Sequence, residues 1–348
     1  MLTKERYDAV LKVFGTLEEA AKHLNEEFLR SLGCREETAQ KALIRLEEFD
    51  AAKAEHALQK AGVNLLMWDD ERYPARLREI GDPPVFLSYK GDLTILDQPC
   101  IALVGTRGMS SYGRRVVQEF APAFVQAGMI TVSGLAQGID TSVAEETVRA
   151  GGRTVAVLGH GLGMIYPKKN AMLAEKILEQ GGLLLSEFPL WMEPEKYTFP
   201  SRNRLIAGLS LGTVVLEAPE GSGAIITADL ALDYGRDAFA VPGQIFDPNY
   251  AGSHALIAAG RARLVSTAAE VLQEIGIVAP AADAPASNYE PQNPDEEKIL
   301  AVLTRMPQRV DELVAKSGLP PGAVGAALTM MEIVGGAKNV GSGMWVRQ

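Results

Sequence analysis

The segment IALVGTRGMSSYG at residues 101–113 carries the pattern that decides the fold. It opens with a continuous apolar run, which is typical of a strand covered on both faces in a parallel sheet. A glycine-rich turn follows, and the residues after the turn have the apolar spacing of a helix. A buried strand, a tight turn and a helix in this order form the repeating unit of doubly wound α/β domains.

The same unit recurs throughout residues 67–278. Short, nearly continuous apolar runs predict strands at 101–104, 129–132, 154–158, 183–185, 213–216 and 238–241. Segments of helical period predict helices at about 111–127, 139–150, 168–180, 201–210 and 223–234. The sequence therefore predicts an α/β domain with a doubly wound sheet, in which ligands bind at the loops that follow the carboxyl ends of the strands.

Composition separates two further regions and a linker from this domain. Residues 1–66 are rich in Ala, Leu, Glu and Lys, and their apolar spacing predicts a small helical domain that is SAM-like or helix-hairpin-helix-like. Residues 279–294, APAADAPASNYEPQNP, predict a linker because they are rich in Pro and Ala. Residues 295–348 predict three short helices and a glycine-turned hairpin, the pattern of a winged helix.

Overall composition excludes several classes of protein. A hydrophobic fraction of 47% in 348 residues excludes a mostly disordered chain. No apolar run reaches the roughly 18 residues of a membrane span, and the N-terminus lacks the features of a secretion signal. Two cysteines cannot form a disulfide framework or a cysteine-based zinc site. We therefore expect a soluble cytoplasmic protein, and its net charge of −10 leaves room for a local basic groove.

The first glycine turn has the composition of a phosphate-binding loop. Gly105 and Gly108 allow close approach of the backbone, and the helix that follows begins with unpaired N–H groups that attract anions. Arg107 adds a bidentate donor for phosphate. The alternative is an ordinary strand–helix turn whose arginine is solvated.

A second basic helix start is predicted in GHGLGMIYPKKN, residues 159–170. Pro167 suits the first turn of a helix, which places Lys168 and Lys169 there as well. Positive charge at a helix start opposes the helix dipole unless an anion is bound nearby. His160 has no metal partner in the sequence and is expected to bind a backbone group.

The segment YTFPSRNRLIAG, residues 197–208, lies in a stretch without acidic residues. Arg202, Asn203 and Arg204 are predicted to contact phosphates and base edges, and Phe199 offers a stacking face. The alternative is a helix start packed by Phe199, with its arginines in solvent.

Two further glycine turns contribute weaker signals. In SGLAQGID, residues 133–140, Gly134 is expected to line the cleft floor. Asp140 is expected to be structural, beside a capping box formed by Ser142 and Glu145. In EGSGAIIT, residues 220–227, the pair 222–223 would act through its backbone and hydroxyl groups.

Motifs for catalysis are absent from the sequence. It contains no GxxxxGK[ST] loop, HExxH pair or GxSxG elbow, and no evident set of Mg²⁺ ligands. Glu187 and Glu217 end apolar strands but are expected to order adjacent loops. The residues therefore predict an anion-binding cleft with no catalytic residue, metal site or cofactor.

The ordered set of these segments resembles the DNA-processing protein A (DprA, or Smf) family over roughly residues 68–265. The segments that carry the resemblance are RYPARLREIGDPPVFLSYKGDL (72–93), VGTRGMSSYG (104–113), SGLAQGID (133–140), GGRTVAVLGHGLGMIYPKKN (151–170), SEF (186–188), FPSRNRLIAGLS (199–210), SGAIITADLA (222–231) and GRDAFAVPG (235–243).

This resemblance implies an extended Rossmann-like domain that binds single-stranded DNA and forms a homodimer. It also implies a role in natural transformation, in which the protein protects incoming single strands and loads RecA recombinase on them. The family's DNA-contacting arginine in the first glycine loop corresponds to Arg107. Its lysine after the Tyr-Pro pair corresponds to Lys168, next to Lys169.

Together, the residues and the resemblance predict sequence-tolerant binding of single-stranded DNA. The predicted contact residues are Gly105, Thr106, Arg107, Gly108, Ser110, Tyr112, Gly134, Tyr166, Lys168, Lys169, Asn170, Phe199, Arg202, Asn203, Arg204, Ser222 and Gly223. One alternative is a nucleotide-binding or nucleotide-hydrolysing enzyme of the phosphoribohydrolase type, although the PGGxGTxxE signature of those enzymes is absent. Another is duplex binding by the winged helix, but its recognition helix near 320–333 has no Arg or Lys.

Overall fold

The computed structural model describes residues 3–277, 289, 291–304, 307–341 and 343–347. The chain divides into two compact units, Met1–Pro280 and Ala281–Gln348. Residues 279–288 and 290 of the predicted linker lie outside the described residues.

A nine-stranded sheet organises the first unit. Its strands are β1 (Asn64–Met67), β2 (Phe86–Gly91), β3 (Cys100–Gly105), β4 (Ile130–Ser133), β5 (Thr154–Leu158), β6 (Leu183–Ser186), β7 (Gly212–Glu217), β8 (Asp237–Ala240) and β9 (Arg263–Leu264). They are ordered β1-β2-β6-β5-β4-β3-β7-β8-β9. From β6 to β9 all neighbouring strands are parallel, whereas β1 and β2 form an antiparallel edge. The predicted doubly wound, extended Rossmann-like fold is confirmed.

Helices cover both faces of this sheet. In chain order they are α6 (Ala75–Arg78), α7 (Ser111–Gln126), α8 (Ile139–Arg149), α9 (Ala171–Glu179), α10 (Thr198–Leu209), α11 (Gly223–Asp233), α12 (Ala251–Ala258) and α13 (Ala268–Glu274). Alternate residues of β3 enter opposite cores: Ala102 and Val104 pack towards α10 and α11, and Ile101 and Leu103 towards α7 and α8. This burial on both faces explains why the strands are continuously apolar in sequence.

The order of the strands creates a switch point beside β3. The chain passes from β3 through β4 and β5 to β6 on one side, and then returns to place β7 on the other side of β3. The two carboxyl ends are joined directly, since the Thr106 amide donates to the Glu217 carbonyl over 2.8 Å. Open α/β sheets bind their ligands at such a point.

Five helices precede the sheet: α1 (Lys4–Phe14), α2 (Leu17–His23), α3 (Glu26–Ser31), α4 (Glu36–Glu47) and α5 (Ala51–Ala61). Side chains of Thr3, Thr16, Asn25 and Asp50 cap four of them. The Lys4 ammonium lies 4.9 Å from the Trp68 ring centre, so this segment packs on the sheet within one compact unit. Its treatment as a separate domain stays a prediction.

The second unit is a winged helix, as predicted. It contains α14 (Pro294–Val302), β10 (Gln308–Arg309), α15 (Val310–Ser317), α16 (Pro321–Ile333), β11 (Ala337–Gly341) and β12 (Met344–Arg347). The strands are ordered β10-β12-β11. Ile299, Leu313, Leu328 and Trp345 form part of its own core.

Among the described residues, no helix combines the length and the apolar character that crossing a membrane requires.

Candidate nucleic-acid interface

An open cleft lies at the switch point between β3 and β7. Its volume is about 490 Å³, and its lining includes the loop after β3 and the first turns of α10 and α11. A smaller cavity of about 60 Å³ adjoins it. Arg107 and Phe199 line both cavities, and the smaller one reaches Tyr166 and Pro167. The loops after β3 and β5 therefore meet at the same edge of the sheet.

The loop after β3 is held in place by the carboxylate of Glu217. The Ser110 amide donates to both carboxylate oxygens, each over 3.1 Å. A Cβ on Gly113 would lie 1.6 Å from Glu217 Oε2, so only glycine leaves room for this contact. Burial raises the pKa of the Glu217 carboxyl. As expected, Glu217 orders an adjacent loop.

This contact changes the interpretation of the helix start as an anion site. The first turn of α7 contains no acidic residue of its own, but the Glu217 carboxylate lies against it. Two other predicted donors are also occupied, because the Gly108 amide donates to Thr106 Oγ1 (3.1 Å) and the Gly134 amide to Asp140 Oδ2 (3.1 Å). The amides of Gly108, Ser110 and Gly134 are therefore already bonded, so phosphate contact on these two loops falls chiefly to side chains.

Arg107 is the side chain best placed for that contact. It is exposed, and its guanidinium carbon lies 4.6 Å from the centre of the Phe199 ring. It forms no ion pair with any carboxylate of the described residues. The Phe199 ring in turn lies 6.2 Å from that of Tyr166, which is half exposed. Arg107 is thus supported by an aromatic face and free to bind an anion.

Lys168 and Lys169 are exposed beside this aromatic pair. They form a single 3₁₀ turn, Lys168–Asn170, which directly precedes α9 and follows Pro167. Neither ammonium has a carboxylate partner among the described residues. The predicted positive charge is present without a carboxylate partner, but both lysines precede α9 instead of lying in its first turn.

Arg202 and Arg204 require a correction, because the structure places both inside the protein. Arg202 is only 3% exposed, and its Nη1 donates to the Val157 carbonyl. Arg204 is 8% exposed and forms ion pairs with Glu187 and, over 3.3 Å, with Asp82. Both guanidinium groups bond to groups inside the protein. They therefore match neither the predicted phosphate contacts nor the alternative of arginines in solvent.

Asp140 is structural, as expected, but the predicted capping box is wrong. Its carboxylate accepts from the amides of Gly134 (3.1 Å) and Ala136 (3.4 Å), and burial raises its pKa. α8 begins at Ile139 without a side-chain cap, so Ser142 lies within the helix and is buried. Burial also lowers the pKa of Arg202, against the attraction of Asp140.

Gly134 and Asn170 serve the same buried network. A Cβ on Gly134 would lie 2.0 Å from Arg202 Nη1, so the glycine makes room for that side chain. Asn170 is buried, and its Nδ2 donates to the Leu135 carbonyl (2.9 Å) and to Thr141 Oγ1 (2.8 Å). Both residues position the loops rather than present polar groups to a ligand.

Of the other predicted contact residues, Asn203, Ser222 and Gly223 line the cleft and Tyr112 does not. Asn203 lines it and donates from Nδ2 to the Gly223 carbonyl over 3.1 Å. Ser222 caps α11. Tyr112 is partly exposed, and its hydroxyl donates to the Pro242 carbonyl over 3.3 Å. Lys196, which the sequence analysis did not select, also lines the cleft and is exposed. The sequence signal that could have identified Lys196 is its position at the start of the stretch without acidic residues.

His160 makes the backbone contacts expected of it. The ring is buried, its Nδ1 donates to the Gly161 carbonyl over 3.0 Å, and its Nε2 accepts from the Tyr166 amide over 3.2 Å. Burial lowers the pKa of this imidazole. Within the described ranges, no group of three or more His, Cys, Asp or Glu side chains is arranged to hold a metal ion.

Comparison with known proteins decides the family. A family model described as DNA recombination-mediator protein A matches residues 64–276. A second model, the DprA winged helix domain, matches residues 279–341. The chain belongs to the DprA/Smf family.

Individual DprA and Smf proteins agree with this assignment. The DNA processing protein DprA of Bacillus subtilis is 40% identical over 63% of this chain and 73% of its own length. Protein Smf of Escherichia coli is 37% identical over 80% of this chain and 76% of its own. The X-ray structure of DprA from Streptococcus pneumoniae covers 78% of this chain and 93% of its own, with 38% identity and a TM-score of 0.68.

A solved structure of the Helicobacter pylori DprA concerns its mode of binding single-stranded DNA. It shares 28% identity and a TM-score of 0.55 with this chain, and the match covers 61% of this chain and 95% of the other. The match shows that a related DprA fold supports single-strand binding.

Proposed function

We propose that this DprA/Smf family member binds single-stranded DNA, without sequence preference, along the carboxyl edge of its sheet. One observation carries the proposal: Arg107, unpaired and stacked on Phe199, lies in the same cavity as Pro167, which leads into Lys168 and Lys169. Cations from separate loops suit a strand with successive phosphates better than a single phosphate group.

The role of each group follows from its exposure and partners. Arg107, Lys168 and Lys169 bind phosphates, because they are exposed and no salt bridge joins them to a carboxylate of the described residues. Tyr166 and Phe199 offer ring faces to bases, and stacking is insensitive to base identity. The Helicobacter pylori structure supports the same ligand class.

The internal use of acidic groups favours binding over catalysis. Glu217 is held by the Ser110 amide, and Glu187 is paired with Arg204. Neither carboxylate is free to act as a general acid or base on a ligand in the cleft. We therefore infer that Glu187 and Glu217 stabilise the fold and do not serve nucleotide hydrolysis.

Calorimetric titration separates the two functions. We expect an oligonucleotide long enough to cross all the loops to bind tightly, and AMP to bind weakly, because one phosphate engages only one of the separated cations. Tight binding of AMP together with weak binding of the oligonucleotide would favour the enzyme instead.

The family relationship supports a wider role in natural transformation. We infer that bound strands are protected in the cytoplasm, that two copies of the chain pair through the sheet domain, and that the complex loads RecA recombinase. These inferences rest on membership of the DprA/Smf family.

The proposal does not extend to duplex binding by the winged helix. Its candidate recognition helix, α16, contains no Arg or Lys, and its exposed side chains include Met330 and Ile333. Its exposed polar side chains are Thr329 and Glu332, so it offers no cation to the phosphates beside a major groove. A contact with protein suits this unit better.

A further inference from the structure

A sharp turn after β8 exposes two large apolar side chains. Ile245 is 79% exposed and Phe246 is 93% exposed. They occupy the central positions of a turn that the Asp247 amide closes by donating to the Gln244 carbonyl over 3.0 Å. Full exposure of a phenyl ring forfeits the free energy that burial would provide, so packing within this chain does not explain the residue.

The turn is anchored on both sides. Before it, Gly243 packs so closely on Tyr250 that a Cβ would lie 2.1 Å from the ring, and His254 Nε2 lies 3.3 Å from the Gly243 amide. After it, Asp247 Oδ1 accepts from the Asn249 amide over 2.9 Å. An anchored turn presents Phe246 at a small entropic cost, as a binding residue requires.

Two contacts of Tyr112 connect this turn to the loop that contains Arg107. Tyr112, in the first turn of α7, donates its hydroxyl hydrogen to the Pro242 carbonyl over 3.3 Å. Its ring packs edge-on against Tyr250, with the centres 5.5 Å apart. β8 lies two strands from β3, so the two carboxyl ends are about 10 Å apart.

The chemistry at the tip of the turn selects a base rather than a phosphate. The two side chains are apolar, and the adjacent Asp247 carboxylate repels the phosphate backbone. A nucleobase presents an apolar, stackable face that suits an exposed phenyl ring. We propose that Phe246 stacks on a base of the strand whose phosphates bind at Arg107, with Ile245 beside it. This inference rests on the proposed function and extends the binding track from β3 to β8.

Replacing Phe246 with alanine tests this assignment by fluorescence anisotropy with a labelled single strand. We expect affinity to fall about 5- to 100-fold, the range that the loss of one stacked base produces. The dependence of affinity on salt should stay that of the wild type, because no phosphate contact is lost. Phe49→Ala is the matched control, since Phe49 is 62% exposed in the segment between α4 and α5.

A second variant reports the contact directly. In Phe246→Trp, we expect oligo(dT) to quench the added tryptophan fluorescence beyond any change in the wild type, because the indole stacks on thymine. Wild-type affinity of Phe246→Ala, with affinity reduced in Arg107→Glu, would overturn the stacking role and leave the proposed function intact. Wild-type affinity of both variants would overturn the stacking role and also the place of the strand at Arg107. Failure of the wild-type protein to bind the labelled strand would reject the proposed function itself. A fall in molar mass by light scattering in Phe246→Ala would assign the ring to a second copy and also overturn the stacking role.

Discussion

Replacing Arg107 with glutamate is expected to reduce affinity for single-stranded DNA by about 100-fold or more. The substitution removes a charge-assisted contact of about 1.5–3 kcal/mol and places a carboxylate against the phosphate. The thermal unfolding curve should change little, because Arg107 is exposed and pairs with no carboxylate of the described residues. Fluorescence anisotropy and differential scanning calorimetry measure the two quantities.

Lys176→Glu provides the matched control. Lys176 is exposed in the last turn of α9, at the opposite edge of the sheet from the cleft, and the change in net charge is the same. We expect nearly wild-type affinity from this control and a loss comparable to that of Arg107→Glu from Lys168→Glu. Wild-type affinity in both cleft variants would remove Arg107 and Lys168 from the site.

Replacing Glu187 with alanine is expected to destabilise the protein by about 3–5 kcal/mol, the cost of leaving a buried charge without its partner. The guanidinium of Arg204 lies almost fully inside the protein, and its Nη1 already has no hydrogen-bond partner. Its remaining ion pair is with Asp82, whose side chain is largely exposed. Urea denaturation followed by circular dichroism measures the free energy of unfolding.

Glu37→Ala is the control for this prediction. Glu37 pairs with Lys41, and the side chains of both residues are largely exposed. Exposed ion pairs contribute about 1 kcal/mol or less, so we expect only a small change. Equal losses in the two variants would show that burial does not set the strength of the Glu187–Arg204 pair.

The sequence predicted the parallel part of the fold closely because its strands are buried on both faces. A strand predicted at 154–158 is β5, Thr154–Leu158, and one predicted at 213–216 is β7, Gly212–Glu217. The antiparallel edge was missed. β1 has only four residues, two of them exposed, so it lacks the continuous burial that made the other strands recognisable.

The sequence predicted exposure correctly where the local chain sets it, and wrongly where distant residues do. Arg107 and Lys168 lie in glycine and proline turns that keep them exposed. Arg202 and Arg204 lie in a stretch without acidic residues, which indicated that their positive charges were unpaired. Their acidic neighbours, Asp140 and Glu187, precede them by many residues, and the order of the strands brings these groups together.

The carboxylate at the start of α7 was missed for the same reason. Glu217 lies 107 residues after Ser110 in the chain, and the two meet because β7 pairs with β3. No local pattern indicates that a protein carboxylate lies against α7. The proposed phosphate contacts therefore fall on the exposed cations and not on the backbone amides of this helix start.

A titration of single-stranded and double-stranded DNA of equal length, at about 50 and 200 mM salt, tests the central claim most directly. We predict clear preference for the single strand and a steep loss of affinity with salt, about 0.7 counterion released for each phosphate bound. Equal affinity for the two forms, or affinity that does not change with salt, would contradict a track of exposed cations that binds one flexible strand.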